Sequence, residues 1–302
     1  TNQRFSFPAL AASQKFDSAI FGTSTTRLLK PKKFNNLFLS RFVNLSMNSA
    51  TVYEQRRLYD LFIDHHPSPR MIIFGLDGQW CDTDPTIKKH TFRPFPPWLY
   101  DGNPWNDALY LFNFSALEQA SRQFGFLTGL RPPKYGRDGY TQFLPPTADY
   151  DLVKARFHIY GPDGIQKKIV STARTQDFSM QRQMWRYEAH TYMREMLERL
   201  PEETVKVLMF VPYHYIRQPE NEDKEWARWD ECKRRLAILA AIHSNTHTID
   251  FMIASEITTS DKNYWDPLHY TVEVADQLAE LIAVGIRERR GIPNFFKYVQ
   301  PE

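Results

Sequence analysis

Several common signals are missing from this chain, and each absence narrows the reading. No run approaches the roughly 18 to 20 consecutive apolar residues of a membrane-spanning helix. Neither sign of charge prevails: 38 Lys and Arg stand against 35 Asp and Glu, a net charge of +3. The strong basic stripe of a nucleic-acid protein is therefore not expected. Neither G-x-G-x-x-G nor G-x-x-x-x-G-K occurs, which ranks a nucleotide binder last. There are only two cysteines, Cys81 and Cys232, too few for a disulfide scaffold. They read as free buried thiols, or as one disulfide if the chain is exported. His243 and His247 have i, i+4 spacing but no third ligand, so no metal and no cofactor are expected. No signal peptide opens the chain. It starts at Thr1 rather than Met, as a processed product would, and an export signal or anchor upstream fits that start. No internal repeat or low-complexity tract is visible.

What is present suits a buried core. The 302 residues are 42% hydrophobic, and 15% are aromatic. Short apolar runs alternate with helical periodicity. Strands are predicted at Phe16–Gly22, Phe42–Leu45, Arg70–Asp77, Val205–Val211 and Ile249–Ile253. Helices are predicted over Ser49–His66 (N-cap Ser49 or Asn48), Met180–Leu200, Asp223–Ser244 and Tyr270–Arg289. Residues 1–15 read as an irregular lead-in. The expected fold is α/β, a doubly wound parallel five-stranded sheet flanked by helices. Residues 1–302 form one domain in this reading, with 78–180 inserted after the third strand as a lid or padding subdomain. Within the insertion, a helix is predicted over Asn106–Phe124 and a short strand near Ala155–Tyr160.

In such a sheet the C-terminal strand ends share one edge, where ligands bind. Ser24, in Gly22-Thr23-Ser24, follows the first strand, and Asp266-Pro267-Leu268-His269 follows the fifth. An Asp three residues before a His can orient an imidazole as a general base for a serine nucleophile. The alternative for Ser24 is a helix N-cap at a strand–helix turn. His214 follows the fourth strand, in a structural or substrate-contacting role. Trp80 and Trp98 are core residues or sugar platforms. His65 and His66 suit a helix C-terminus. Arg27, Lys30, Lys32 and Lys33 cluster after Ser24 as solvated surface, or near an anionic substrate or headgroup.

The order of these pieces resembles the SGNH (GDSL-type) hydrolase superfamily over roughly residues 16–80 and 200–290. Gly22-Thr23-Ser24 matches the first block at Gly and Ser, with Thr in place of Asp. Asp266 and His269 match the last block. The second block supplies a Gly whose N–H faces an oxyanion, and Ser49 aligns there. The third supplies an Asn donor, and Asp77 stands in its place. The general flavour is similar to the membrane-associated O-acetyltransferase branch. The resemblance implies a Ser24–His269–Asp266 triad, with oxyanion donors at Ser24, Ser49 and, against its charge, Asp77. Arg27, Trp80 and His214 are the candidate substrate contacts read from the residues themselves. The resemblance also implies acyl transfer on an acylated carbohydrate or small ester, a membrane-bound acyl-donor partner and a periplasmic or extracytoplasmic location. A catalytically degenerate scaffold that binds polysaccharide or assists envelope assembly is the alternative.

Overall fold

A computed structural model describes residues 2–84, 86, 88–110, 113–162, 164, 177–219 and 223–300. The strands are β1 (Ser18–Phe21), β2 (Phe42–Asn44), β3 (Met71–Leu76), β4 (Val205–Phe210), β5 (Thr246–Asp250) and β6 (Lys297–Tyr298). The helices are α1 (Gln3–Ala11), α2 (Pro31–Phe38), α3 (Val52–His65), α4 (Pro104–Asp107), α5 (Phe114–Leu127), α6 (Leu152–Tyr160), α7 (Ser179–Met184), α8 (Ala189–Glu198), α9 (Lys224–Ala241) and α10 (Val272–Glu288).

The strands make one sheet of order β2-β1-β3-β4-β5-β6. The first five are parallel and β6 is antiparallel to β5, so the sheet has six strands rather than the expected five. A two-residue strand leaves no periodicity to read. β1 and β3 bury every residue, as a parallel sheet covered on both faces requires. The chain moves outward from β1 to β2, then reverses past β1 to β3. Right-handed crossovers therefore put α2 and α3 on opposite faces. In agreement, α2 packs on α10, while α3 packs on α1 and α8. The reversal opens a crevice between β1 and β3 at their C-terminal ends.

Other expectations need correction. The lead-in is not irregular: it carries α1, whose Arg4 forms a fully buried pair with Glu54 of α3. That partner lies fifty positions on, so no local pattern announced it. The N-cap of α3 is Thr51, not Ser49 or Asn48. Its hydroxyl accepts from Glu54 N at 3.1 Å, and Glu54 Oε2 accepts from Thr51 N at 3.0 Å. Residues 152–160 form a helix, not a strand, because Asp151 caps it by accepting from Val153 and Lys154. The helix predicted over Met180–Leu200 breaks into α7 and α8. Arg235 donates to the carbonyls of Arg182 and Trp185 at the break, replacing helical partners there. Of the helix predicted over 106–124, α5 begins only at Phe114, capped by Asn113, and positions 111–112 lie outside the described residues. Much of 163–176, inside the expected insertion, also lies outside them. β5 spans Thr246–Asp250, with the buried polar residues His247 and Thr248 on it, whereas the apolar run suggested 249–253. Cys81 and Cys232 are not free thiols; they form a disulfide between the turn after β3 and α9. No helix among the described residues is long and apolar enough to cross a membrane.

Candidate active site

Gly22 follows the last residue of β1, and Gly75 of β3 lies one position beyond the Phe21–Phe74 pair. A Cβ on Gly22 would meet Thr26 Oγ1 at 2.3 Å, and one on Gly75 would meet Thr26 Cγ2 at 2.2 Å. The two glycines thus make room for a tight 3-10 turn, Ser24–Thr26, to settle over the crevice between β1 and β3. The loop after β2 is stitched alongside. Met47 N donates to Gly22 O at 3.1 Å, and the Thr26 and Ser46 hydroxyls lie 2.7 Å apart. Gln79, after β3, donates to Ala50 O at 2.7 Å. Three loops from three strands are therefore fixed around one half-buried residue, Ser24.

The Asp266–His269 stretch is the tip of a narrow loop closed by a Tyr264–Tyr270 bridge. Both tyrosines are wholly buried, and Tyr264 Oη donates to Pro212 O at 2.9 Å. Asp266 Oδ1 accepts from the backbone N–H groups of Leu268 and His269 at 2.8 and 3.0 Å. Its Oδ2 lies 2.7 Å from His269 Nδ1. Burial raises the Asp266 pKa, but the bonds from His269 and the loop amides outweigh it and hold the carboxyl below its ordinary value. An ionised Asp266 can only accept, so the imidazole proton sits on Nδ1. His269 Nε2 is then an acceptor, and Ser24 Oγ is 2.9 Å away. Hydroxyl, imidazole and carboxylate thus form one hydrogen-bonded line, the geometry of an activated nucleophile.

The structure treats the other predicted residues unequally. Asp77 is buried beneath the serine turn. Thr23 Oγ1 donates to its Oδ2 at 2.6 Å, Thr25 Oγ1 to its Oδ1 at 3.0 Å and Tyr213 Oη to its Oδ1 at 2.9 Å. Burial raises its pKa, and these bonds lower it by less. Both oxygens are engaged as acceptors, so Asp77 is not an oxyanion donor; it braces the turn instead. Ser49 has φ +53°, the left-handed region that favours glycine. Neither the Ser24 N–H nor the Ser49 N–H bonds to another described residue.

Trp80 is 1% exposed and His214 is 1% exposed, which removes both from substrate contact. Trp80 packs in the core beside the disulfide half Cys81. His214 accepts from Ile216 N at Nδ1, and its Nε2 lies 3.3 Å from Asp261 Oδ1. Its backbone N–H donates to Pro267 O at 2.9 Å, so it supports the Asp266–His269 loop. Trp98 stacks on Tyr110. His66 caps α3 through backbone contacts, and His247 bonds Tyr298. Among the described residues no cluster of three or more His, Cys, Asp or Glu gathers as a metal site. Arg27 does flank the serine turn, its backbone N–H donating to Ser24 O at 3.4 Å.

One contributor was not legible in the sequence. Residues 138–150 cross the rim like a strap. Asp138 O accepts from Asn44 N at 2.8 Å, and Gly139 lies against Asn44 at φ +82°. At the other end Tyr150 Oη donates to Tyr264 O at 2.8 Å. Between them the Phe143 ring meets His269 edge-on, centroids 5.3 Å apart. A lone Phe in a Pro-rich stretch gives no signal of this. A separate apolar groove of about 730 Å³ lies between α1, α5 and residues 131–137, and it includes neither Ser24 nor His269. No protein-family model and no curated protein matches this chain.

Proposed function

We propose that this protein is a serine-dependent acyl-transfer enzyme, an esterase or O-acyltransferase acting on an acylated glycan or cell-envelope polymer. The observation that carries this reading is the unbroken line Ser24 Oγ–His269 Nε2 at 2.9 Å and His269 Nδ1–Asp266 Oδ2 at 2.7 Å. His269 takes the Ser24 proton as the oxygen attacks an ester carbonyl, and an acyl-serine forms as the alcohol leaves with that proton. Water or a sugar hydroxyl then takes the acyl group, again through His269. Asp266 holds the tautomer and stabilises the imidazolium. The uncommitted N–H groups of Ser24 and Ser49 are the oxyanion donors we assign, and the left-handed φ of Ser49 suits a position where a glycine is expected.

This reading places the chain in the SGNH superfamily, as a doubly wound sheet of five parallel strands with 78–180 inserted as a lid. The disulfide favours an oxidising, extracytoplasmic compartment, where a membrane-bound partner would supply the acyl donor. Reaction with a fluorophosphonate probe tests the proposal. Labelling that maps to Ser24 and disappears in Ser24→Ala is expected; no labelling of the folded protein overturns it.

A second reading is a binding or assembly scaffold without turnover. The observation in its favour is that Asp77, where the family carries an Asn donor, has both oxygens committed as acceptors. Loss of one such donor costs on the order of 3 kcal/mol of transition-state stabilisation, which slows an esterase without abolishing it. The same labelling experiment separates the two readings.

A further inference from the structure

We propose that Arg27, backed by Arg93 and Lys134, forms an anion subsite beside Ser24 that binds a carboxylate or phosphate group carried by the substrate. The placement of this subsite in a reaction rests on the acyl-transfer reading; its binding chemistry does not.

Elsewhere in the chain, arginines are satisfied by carboxylates. Arg4 pairs with Glu54, Arg56 with Asp60 and Glu195, Arg199 with Asp60 and Asp64, and Arg235 with Glu231. Of the basic residues after Ser24, Lys30 pairs with Asp276 and Lys33 with Glu280. Arg27 differs. It is 8% exposed, its Nε is buried without a hydrogen-bond partner, and no carboxylate among the described residues pairs with it. A buried charge is costly unless paired, so an unpaired guanidinium held in place calls for a counterion from outside the chain.

Its neighbours increase that demand. Burial and then the charge of Arg93 hold Arg27 down to about 10, still fully cationic at neutral pH. The Nε of Arg93 is also buried without a partner. Lys134 is held below its ordinary value by burial and then by Arg122, Arg27 and Arg93. The charges of Arg93 and Lys134, from two other segments of the chain, thus act on the same region as Arg27, and among the described residues none of the three forms an ion pair with a carboxylate. A bound anion relieves the repulsion, and a guanidinium presents paired N–H donors that match a carboxylate or phosphate.

The position ties this charge to the chemistry. Arg27 lies three residues beyond Ser24, on the same turn. Its guanidinium stacks on Phe143 at 4.6 Å, and the Phe143 ring makes a T-shaped contact with His269. The cation is thus one ring away from the general base. An ester bound at Ser24 would bring a neighbouring acidic group on the same polymer within its reach.

Two measurements on the full chain test this. The first uses Ser24→Ala, so that no turnover is needed, and follows thermal stability against inorganic phosphate and, separately, sodium glucuronate. Saturable stabilisation beyond that of sodium chloride at equal ionic strength is expected, and the tighter of the two anions identifies the substrate's acid. The second compares kcat/KM for an acetylated methyl glucuronide and an acetylated methyl glucoside. The charged ester should be favoured by about tenfold or more, the scale of one hydrogen bond to a charged group. Arg27→Gln should collapse both the ratio and the anion stabilisation. Arg93→Gln, at a half-buried site, should reduce both if the Arg27 variant does not fold. Absence of saturable anion binding overturns the subsite. Anion binding without fluorophosphonate labelling would sink the enzyme reading and leave the subsite standing; labelling without anion binding does the reverse.

Discussion

Ser24 and His269 lie 245 positions apart in sequence and 2.9 Å apart in the fold. Nothing local forces that meeting. It follows from strand order, which puts the turn after β1 at the sheet's point of reversal, and from the tyrosine-anchored loop that brings His269 over it.

On the acyl-transfer proposal, removal of Ser24 or His269 should nearly abolish turnover without unfolding the protein. Ser24→Ala and His269→Ala are expected to lower kcat for a simple ester by about 10⁴-fold or more, with an unchanged melting temperature. Asp266→Asn should cost a similar order, because the amide favours the wrong imidazole tautomer. Steady-state kinetics paired with thermal denaturation check all three.

Under the proposed acyl-transfer reading, Asp77 acts on the serine through Thr23 and Thr25, as a positioning residue. Asp77→Ala removes the acceptor for three hydroxyls and should lower kcat about 10- to 100-fold, with little change in KM. Asp77→Asn keeps one acceptor oxygen and should recover part of that loss. Equal defects in the two variants would argue against hydroxyl bracing.

The Cys81–Cys232 disulfide closes a separation of 151 residues and joins the turn after β3 to α9. Replacement of both cysteines by serine should cost about 2–5 kcal/mol of stability. Denaturant titration of the oxidised protein against the double variant measures it. Because Cys81 sits four residues beyond Asp77, residual activity should fall at a lower denaturant concentration in the variant.

Acid should destabilise the fold in a defined window. His190 and His247 are each held at about 4, against an ordinary 6.5, burial being the main cause. Between those values the unfolded chain binds protons that the native state refuses. Stability is therefore greatest above pH 6.5 and declines as pH falls toward 4, by up to about 1.4 kcal/mol per pH unit for each histidine. Melting temperatures across pH 7 to 4.5 should fall, and His190→Gln combined with His247→Gln should flatten the slope. An equal slope in that variant would assign the acid sensitivity to other groups.

The strands that bury both faces were legible because their residues are continuously apolar, as in Met71–Leu76 and Val205–Phe210. Elements whose patterns depend on distant partners were not. Helix α1 hides a buried arginine whose acid lies on α3, and β5 carries a buried histidine and threonine that read as polar. The same division holds in the site. Ser24, Asp266 and His269 were marked by residue type and order. Trp80 and His214 carry suitable chemistry but are sealed in the interior, and only burial distinguishes them from residues that can touch a ligand.

By itself the sequence determined an α/β chain, with a serine at one strand end and an Asp-x-x-His near the other terminus. Those features are local: short apolar runs and residues a few positions apart. The tertiary structure alone decided that Asp77 accepts from Thr23, Thr25 and Tyr213, that Phe143 leans on His269 and that Arg27 has no carboxylate partner among the described residues. Each of these depends on which groups from remote segments share a few ångströms of low-dielectric space, and chain order does not encode that.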